Sequence, residues 1–128
     1  MSAIELRKNE MMAYLLDALS KGEDIGHYGR LVFVMVARHF LSESELYALL
    51  QRDSDLDEEN ARALIEQVTS KGYSPPSRAK VLEFQTHQQF PICPNPDDPD
   101  GCNVYKDLKF PASVYESINE YHVEKADA

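Results

Sequence analysis

The stretch Leu31-Val32-Phe33-Val34-Met35-Val36-Ala37 decides the fold, because it is the longest unbroken apolar run in the chain. Its valines favour a β-strand on propensity, and an unbroken apolar run carries no periodicity that separates a buried strand from a buried helix. However, the whole segment covers 28–41, which is longer than a usual strand, and no second strand-like run lies nearby to pair with it. We therefore predict a helix that is apolar nearly all round and is enclosed by the others.

Helical signals flank this run on both sides. An apolar stripe that includes Ile4 predicts a helix over 4–21, ended by Gly22. Ser42 and Glu45 form a capping-box pattern that predicts a helix over 43–52. Three more helices are predicted: one over 55–71, opened by Asp55 and Glu58; one over 74–88, with Ser74 as N-cap before Pro75 and Pro76; and one over 111–123, opened by Pro111.

Between these helices, residues 89–110 form a segment of different texture. Four prolines between Phe90 and Asn103 exclude a helix interior or a central strand. Spaced apolar residues in and after this stretch predict that it lies along the helices. We predict an all-α fold: a compact bundle of five to six helices around a central apolar helix, with the proline-rich irregular segment packed on it. The chain is then one domain, 1–128, whose helical core spans 1–88.

The composition of the chain excludes some classes of function and cellular location. A chain of 128 residues with 43% hydrophobic and 27% charged residues is the size of one globular domain. Its net charge of −9 disfavours direct nucleic-acid binding. The N-terminus lacks the layout of a secretory signal, and the apolar run is too short to cross a membrane, so we expect a cytoplasmic protein. Cys93 and Cys102 would form a single disulfide in a secreted protein, whereas in a reducing cytosol they are thiols or metal ligands.

The first candidate site lies along the central helix. His27, Tyr28, Arg30, Arg38 and His39 could bind an anion or a partner, because the start of this helix offers free amides beside cationic side chains. Arg30 and Arg38 are eight residues apart and share a helix face. The alternative is structural: a charged residue on so apolar a helix must reach an acid or solvent, for instance an acid of a neighbouring helix that pairs with Arg38.

The second candidate is a metal site around the cysteines. Cys93, Cys102 and His87, with His122 as a fourth ligand, have the side chains that zinc prefers. Eight residues separate the cysteines, whereas structural zinc sites use tight knuckles, so the alternative is two small half-buried residues under a proline loop. The acids of this segment, Asp97, Asp98 and Asp100, could hold calcium but do not follow the EF-hand spacing.

One stretch resembles a known family. The similarity rests on Gly29-Arg30, the run ending Ala37-Arg38-His39-Phe40-Leu41, the segment Ser42-Glu43-Ser44-Glu45-Leu46, and Pro75-Pro76 before Lys80-Val81-Leu82. It resembles, over residues 26–85, the small helical module that follows the catalytic domain of plasmid- and phage-type primases. The resemblance implies an accessory role near replication machinery, without polymerisation.

Catalytic motifs are not visible in this sequence. It has no Gly-x-Ser-x-Gly elbow, phosphate loop or dinucleotide fingerprint, and we assign no catalytic residue. The sequence therefore favours a non-catalytic helical adaptor that binds a protein partner. A zinc protein, and an enzyme or binder of small anions that uses His27, Tyr28, Arg30 and Arg38, remain as alternatives.

Overall fold

The computed structural model describes residues 3–118, and their regular structure is entirely helical, as predicted. No residue in this range belongs to a β-strand. The helices are α1 (Ala3–Leu6), α2 (Glu10–Ser20), α3 (Gly26–Ala37), α4 (Glu43–Leu50), α5 (Glu58–Lys71), α6 (Arg78–Gln85), α7 (Val104–Asp107) and α8 (112–118).

The apolar run forms α3, which packs against α2, α4, α5 and α6. Every residue from Val32 to Ala37 is buried, so the prediction of a helix here is confirmed. The helix ends at Ala37 instead of 41, and a turn covers 38–41. The reason lies in the next residue: Ser42 caps α4 in an extended conformation (φ −70°, ψ 163°), so the chain has to leave the helix before it.

The single helix predicted over 4–21 is wrong, because the chain breaks at Asn9 into α1 and α2. Asn9 accepts a hydrogen bond from the Met12 amide, which is the usual N-cap contact. Its side-chain amide also donates to Asp107, 98 positions away, at 3.0 Å. The break leaves Ile4, predicted to lie on the apolar stripe, 76% exposed.

Capping residues explain the other helix starts. The reciprocal bonds between Ser42 and Glu45 are both present, which confirms the predicted capping box. Asp57, and not Asp55, caps α5 by accepting from the Asn60 amide. Asp55 instead donates its amide to the Asp53 carboxylate.

The predicted start of α6 at Ser74 is also wrong, because Ser77 is the N-cap and Arg78 the first helical residue. A residue before proline is pushed away from helical backbone angles. Ser74 and Pro75 are each followed by a proline, so neither of them begins a helix readily. This leaves 73–77 without regular structure, and Arg38, just after α3, donates to the Tyr73 carbonyl.

The proline-rich segment contacts the helices through buried side chains: Ile92, Val104, Leu108 and Phe110. It also contains the one-turn helix α7, capped by Asn103, which the proline content did not indicate. Of the C-terminal helix predicted over 111–123, α8 covers 112–118, and 119–123 lie outside the described residues. None of the helices in residues 3–118 combines the length and apolar character that crossing a membrane requires.

Candidate functional site

Three backbone amides at the N-terminal end of α3 already donate to side chains of this chain. The predicted anion site here depended on free amides. Three of them donate to side chains: Ile25 to Asp53 (3.0 Å), Gly26 to Asp24 (2.9 Å) and Tyr28 to Gln88 (2.8 Å). The folded chain itself therefore supplies acceptors at this end, and two of the three are carboxylates.

Arg30 is held by the same carboxylates. It is 8% exposed, and its Nη1 lies 3.1 Å from the Asp24 carboxylate and 3.3 Å from both oxygens of Asp53. A guanidinium flanked by two carboxylates has its charge compensated. The structural alternative, an arginine paired with a neighbouring acid, is the arrangement that the geometry favours for Arg30.

His27 and Tyr28 belong to a small group of rings on the surface near α6. The Tyr28 ring stacks on Phe84 at 5.2 Å and lies 5.8 Å from the His87 ring, while His27 meets Tyr28 edge-on at 5.1 Å. A cavity of about 260 Å³ beside His27 and Arg30 has Asp55 in its wall. Asp55 in the cavity wall and the compensated charge of Arg30 both disfavour anion binding at the N-terminal end of α3.

Arg38 lies at the other end of α3 in a different environment. Its Nη2 donates to the Tyr73 carbonyl at 3.3 Å. None of the ion pairs formed within residues 3–118 includes Arg38. Its Nε and the Nε2 of His39 are shielded from solvent, and neither has a hydrogen-bond partner among the described residues. In a chain of net charge −9, most cations are expected to lie beside an acid, whereas this half-buried arginine has no carboxylate partner within residues 3–118.

A cavity of about 310 Å³ opens beside these two side chains. No acidic residue is among the described residues that line it, whereas three other cavities in this part of the chain each have a glutamate or aspartate in their walls. The lining residues are Arg38, His39, Gly72, Ser74, Ser113, Val114 and Ser117. We call this the Arg38 cavity. The described residues of its walls include hydrogen-bond donors and the permanent positive charge of Arg38.

Burial shapes the charge of both basic groups. Burial, and secondarily the neighbouring charge of Arg38, lowers the pKa of His39 to about 4, so its ring is neutral at pH 7. Burial also lowers the pKa of Arg38, although a guanidinium keeps its proton at any physiological pH. Among the described residues that line the cavity, the guanidinium of Arg38 is therefore the fixed cation.

Aromatic rings pack together at this end of the molecule, and one of them contacts His39. The ring of Phe110 meets His39 edge-on at 5.6 Å and lies 5.3 Å from Tyr105, whose hydroxyl donates to the Pro75 carbonyl. Burial, and then the nearby Tyr115, raise the pKa of Tyr105 to about 12, so it stays a donor. Tyr115 is 40% exposed, in sequence beside the lining residue Val114.

The second exposed ring belongs to Tyr73, which is 37% exposed and follows the lining residue Gly72. Exposed tyrosines beside an arginine are the composition that protein interfaces concentrate at their energetic centres. The two tyrosines come from separate segments, and both of their positions adjoin residues that line the Arg38 cavity. We call Tyr73 and Tyr115, each of which follows a lining residue in sequence, the aromatic rim.

The predicted zinc ligands are arranged differently. Cys93 and Cys102 are joined in a disulfide with their Cα atoms 5.6 Å apart, and both are buried. His87 lies against Tyr28, and His122 is outside the described residues. Among residues 3–118, no three His, Cys, Asp or Glu side chains form a group that could hold a metal ion.

The polar groups of the predicted calcium cluster have local partners. Asp98 accepts from the Asp100 amide at 3.0 Å, and Asp100 pairs with Lys106 at 2.9 Å. The amide of Asn95 donates to Glu10 at 2.9 Å, which ties the segment to α2. These contacts are typical of turn residues in a segment fixed to the fold.

The Arg38 cavity was only partly visible in the sequence. Arg38 and His39 were candidates, but the hydroxyl donors Ser74, Ser113 and Ser117 were not. They come from two segments more than 30 residues beyond α3, and serine near a helix start or a proline is common in any protein. The five predicted residues thus divide between two ends of one helix, with His27, Tyr28 and Arg30 at one and Arg38 and His39 at the other.

Comparisons with family models, with curated proteins and with solved structures found no match to this chain. The case for function therefore depends on the geometry of the site.

Proposed function

We propose that this chain is a non-catalytic helical adaptor that binds a protein partner through the Arg38 cavity and its aromatic rim. The observation that carries the proposal is Arg38: a half-buried guanidinium beside a cavity of about 310 Å³, paired with no carboxylate among the described residues. An arginine of this kind binds an acidic group of another molecule more strongly than a solvated one does, because part of its desolvation has already occurred on folding.

Tyrosine and arginine side chains also support a protein partner. Tyr73 and Tyr115 present large rigid surfaces with few rotatable bonds, which limits the entropy lost on association. The setting that we propose is a cytoplasmic, nucleic-acid-processing assembly, and its support is the resemblance of residues 26–85 to a primase accessory module. A stable disulfide between Cys93 and Cys102 is more typical of oxidising compartments. A cytoplasmic setting therefore predicts that these two cysteines are reduced in the cell.

The test compares three versions of the chain in its native host. Wild type, Arg38→Gln and the control Arg62→Gln are purified side by side, since Arg62 is an exposed arginine of α5 with an acid at 3.5 Å. We expect one stoichiometric partner to accompany wild type and Arg62→Gln and to be lost with Arg38→Gln. Equal recovery with Arg38→Gln contradicts the site, and turnover of a small molecule without any stoichiometric partner contradicts the adaptor function.

A further inference from the structure

The Arg38 cavity has the donor chemistry of an oxyanion site. Ser74, Ser113, Ser117 and Arg38 line one space, and they come to it from three separate segments of the chain. Each hydroxyl can donate one hydrogen bond and rotate to suit a ligand, and a guanidinium offers a planar fork of donors. The cavity thus gathers more donors than one carboxylate can accept readily.

We propose that this cavity binds a phosphate monoester, presented by a phosphorylated side chain of the protein partner. The inference rests on the proposed function and names the group that the site would recognise. A phosphate monoester brings three acceptor oxygens and a charge of about −1.5 to −2 at pH 7. These acceptors match the serine hydroxyls and Arg38 better than a carboxylate, which has two oxygens and one charge.

The size of the cavity allows this ligand. Its volume of about 310 Å³ equals that of about ten water molecules at ~30 Å³ each, so a phosphate and the side chain that bears it can both be accommodated. The exposed residues Tyr73 and Tyr115 each follow a lining residue in sequence, and we expect the rest of a partner segment to pack on them.

The local charge around each cationic side chain affects where an anionic ligand can bind. A chain of net charge −9 repels anions at long range, so an anion binds only where local positive charge and donors outweigh that field. Arg30, Arg62 and Lys80 each have an acid within 3.5 Å. No ion pair within residues 3–118 includes Arg38, and no acid is among the described residues that line its cavity. The local charge therefore favours an anionic ligand at Arg38 over these three sites.

The experiment is calorimetric titration of the full chain at pH 7.5 with phenyl phosphate, benzoate, and one serine peptide in phosphorylated, glutamate and unmodified forms. We expect saturable binding of phenyl phosphate and tighter binding of the phosphopeptide, with benzoate and the glutamate peptide at least tenfold weaker. Arg38→Gln and Ser113→Ala should each weaken phenyl phosphate roughly tenfold or more, which is the usual effect of losing a hydrogen bond to a charged group. Arg62→Gln should leave the affinity unchanged, and thermal melts confirm that each variant is folded.

The outcomes separate the two proposals. Tighter binding of the phosphopeptide than of phenyl phosphate supports a peptide-borne group, whereas equal binding identifies a free phosphate ester as the source and overturns the peptide-borne part. Absence of saturable phosphate binding, equal binding of benzoate, or unchanged affinity in Arg38→Gln overturns the inference. A partner captured through Arg38 while every phosphate probe fails leaves the adaptor function standing and removes only the phosphate.

Discussion

The Nη1 of Arg30 lies 3.3 Å from both carboxylate oxygens of Asp53, and the Asp53 side chain is fully buried. Asp53 also accepts the amides of Ile25 and Asp55. One carboxylate thus ties the start of α3 to the loop after α4. This pair fixes one end of the central helix in place, and the other end presents Arg38.

Asp53→Asn should destabilise the fold strongly. Removing one partner of a buried ion pair costs about 3–5 kcal/mol, and we expect a value near the lower end because Asp24 still faces Arg30. The matched control is Asp17→Asn, since Asp17 forms an exposed pair with Arg7 and should change stability by about 1 kcal/mol or less. Urea unfolding followed by circular dichroism measures both, and similar losses in the two variants would contradict a structural role for this pair.

Gly26 and Gly72 offer a second matched comparison. Both have left-handed backbones (φ 80° and 64°), in which a side chain costs about 1–2 kcal/mol. A Cβ on Gly26 would also come within 2.5 Å of the Gln88 side-chain oxygen, whereas one on Gly72 would meet nothing within 4 Å. Gly26→Ala should therefore lose at least about 1 kcal/mol more than Gly72→Ala, because it displaces a side chain that bonds the Tyr28 amide. Equal losses would show that the Gln88 contact adds nothing.

His39 makes the stability of the fold depend on pH. Its pKa of about 4 in the folded chain is below the ordinary value of 6.5, so the unfolded chain takes up its proton first as the pH falls. The contribution of neutral His39 to the free energy of unfolding is fully present above pH 6.5 and is lost as the pH falls from 6.5 to 4. Allowing for its half-exposed ring, it is about 1–2 kcal/mol.

The measurement is the difference in unfolding free energy between wild type and His39→Gln at pH 7.5 and 4.5. The difference should shrink at the lower pH, because the unfolded chain takes up the His39 proton before the folded chain does. If the difference in unfolding free energy between wild type and His39→Gln did not vary with pH, burial would not be keeping the His39 ring neutral.

The disulfide should contribute measurably to stability. Cys93 and Cys102 are nine positions apart, and closing so short a loop stabilises by about 2–3 kcal/mol on the chain-entropy account. We expect a dithiol reductant to lower the melting temperature of wild type and to leave the Cys93→Ser/Cys102→Ser variant unchanged. Two free thiols in protein purified without reductant, together with about one equivalent of zinc by elemental analysis, would favour the metal alternative instead.

Local signals in the sequence were enough for some elements of the fold. The length and apolarity of the run in α3 indicated a buried helix, and the serine–glutamate spacing of Ser42 and Glu45 indicated the start of α4. Both features act within one or two helical turns. Contacts between distant residues were not readable: the side chain of Asn9, which caps α2, also donates to Asp107, 98 positions away.

The candidate site shows the same division. The apolar surroundings of Arg38 made it a candidate, because a charge on such a helix needs a partner. Arg30 and Arg38 were grouped in one site because eight residues along a helix place two side chains on one face. The same spacing also puts them at opposite ends of α3, in different environments. The choice of Asp53 as the partner of Arg30, and of Ser113 and Ser117 as neighbours of Arg38, follows from packing that no local pattern records.

The central claim, that Arg38 anchors a partner, is tested most directly by the side-chain Nε–H signals of the arginines in a ¹⁵N-labelled chain. On adding the partner that wild type and Arg62→Gln recover, the Arg38 signal should shift at saturation while the Arg30 signal, held between Asp24 and Asp53, stays in place. A shift at Arg30 with an unchanged Arg38 signal would contradict the account.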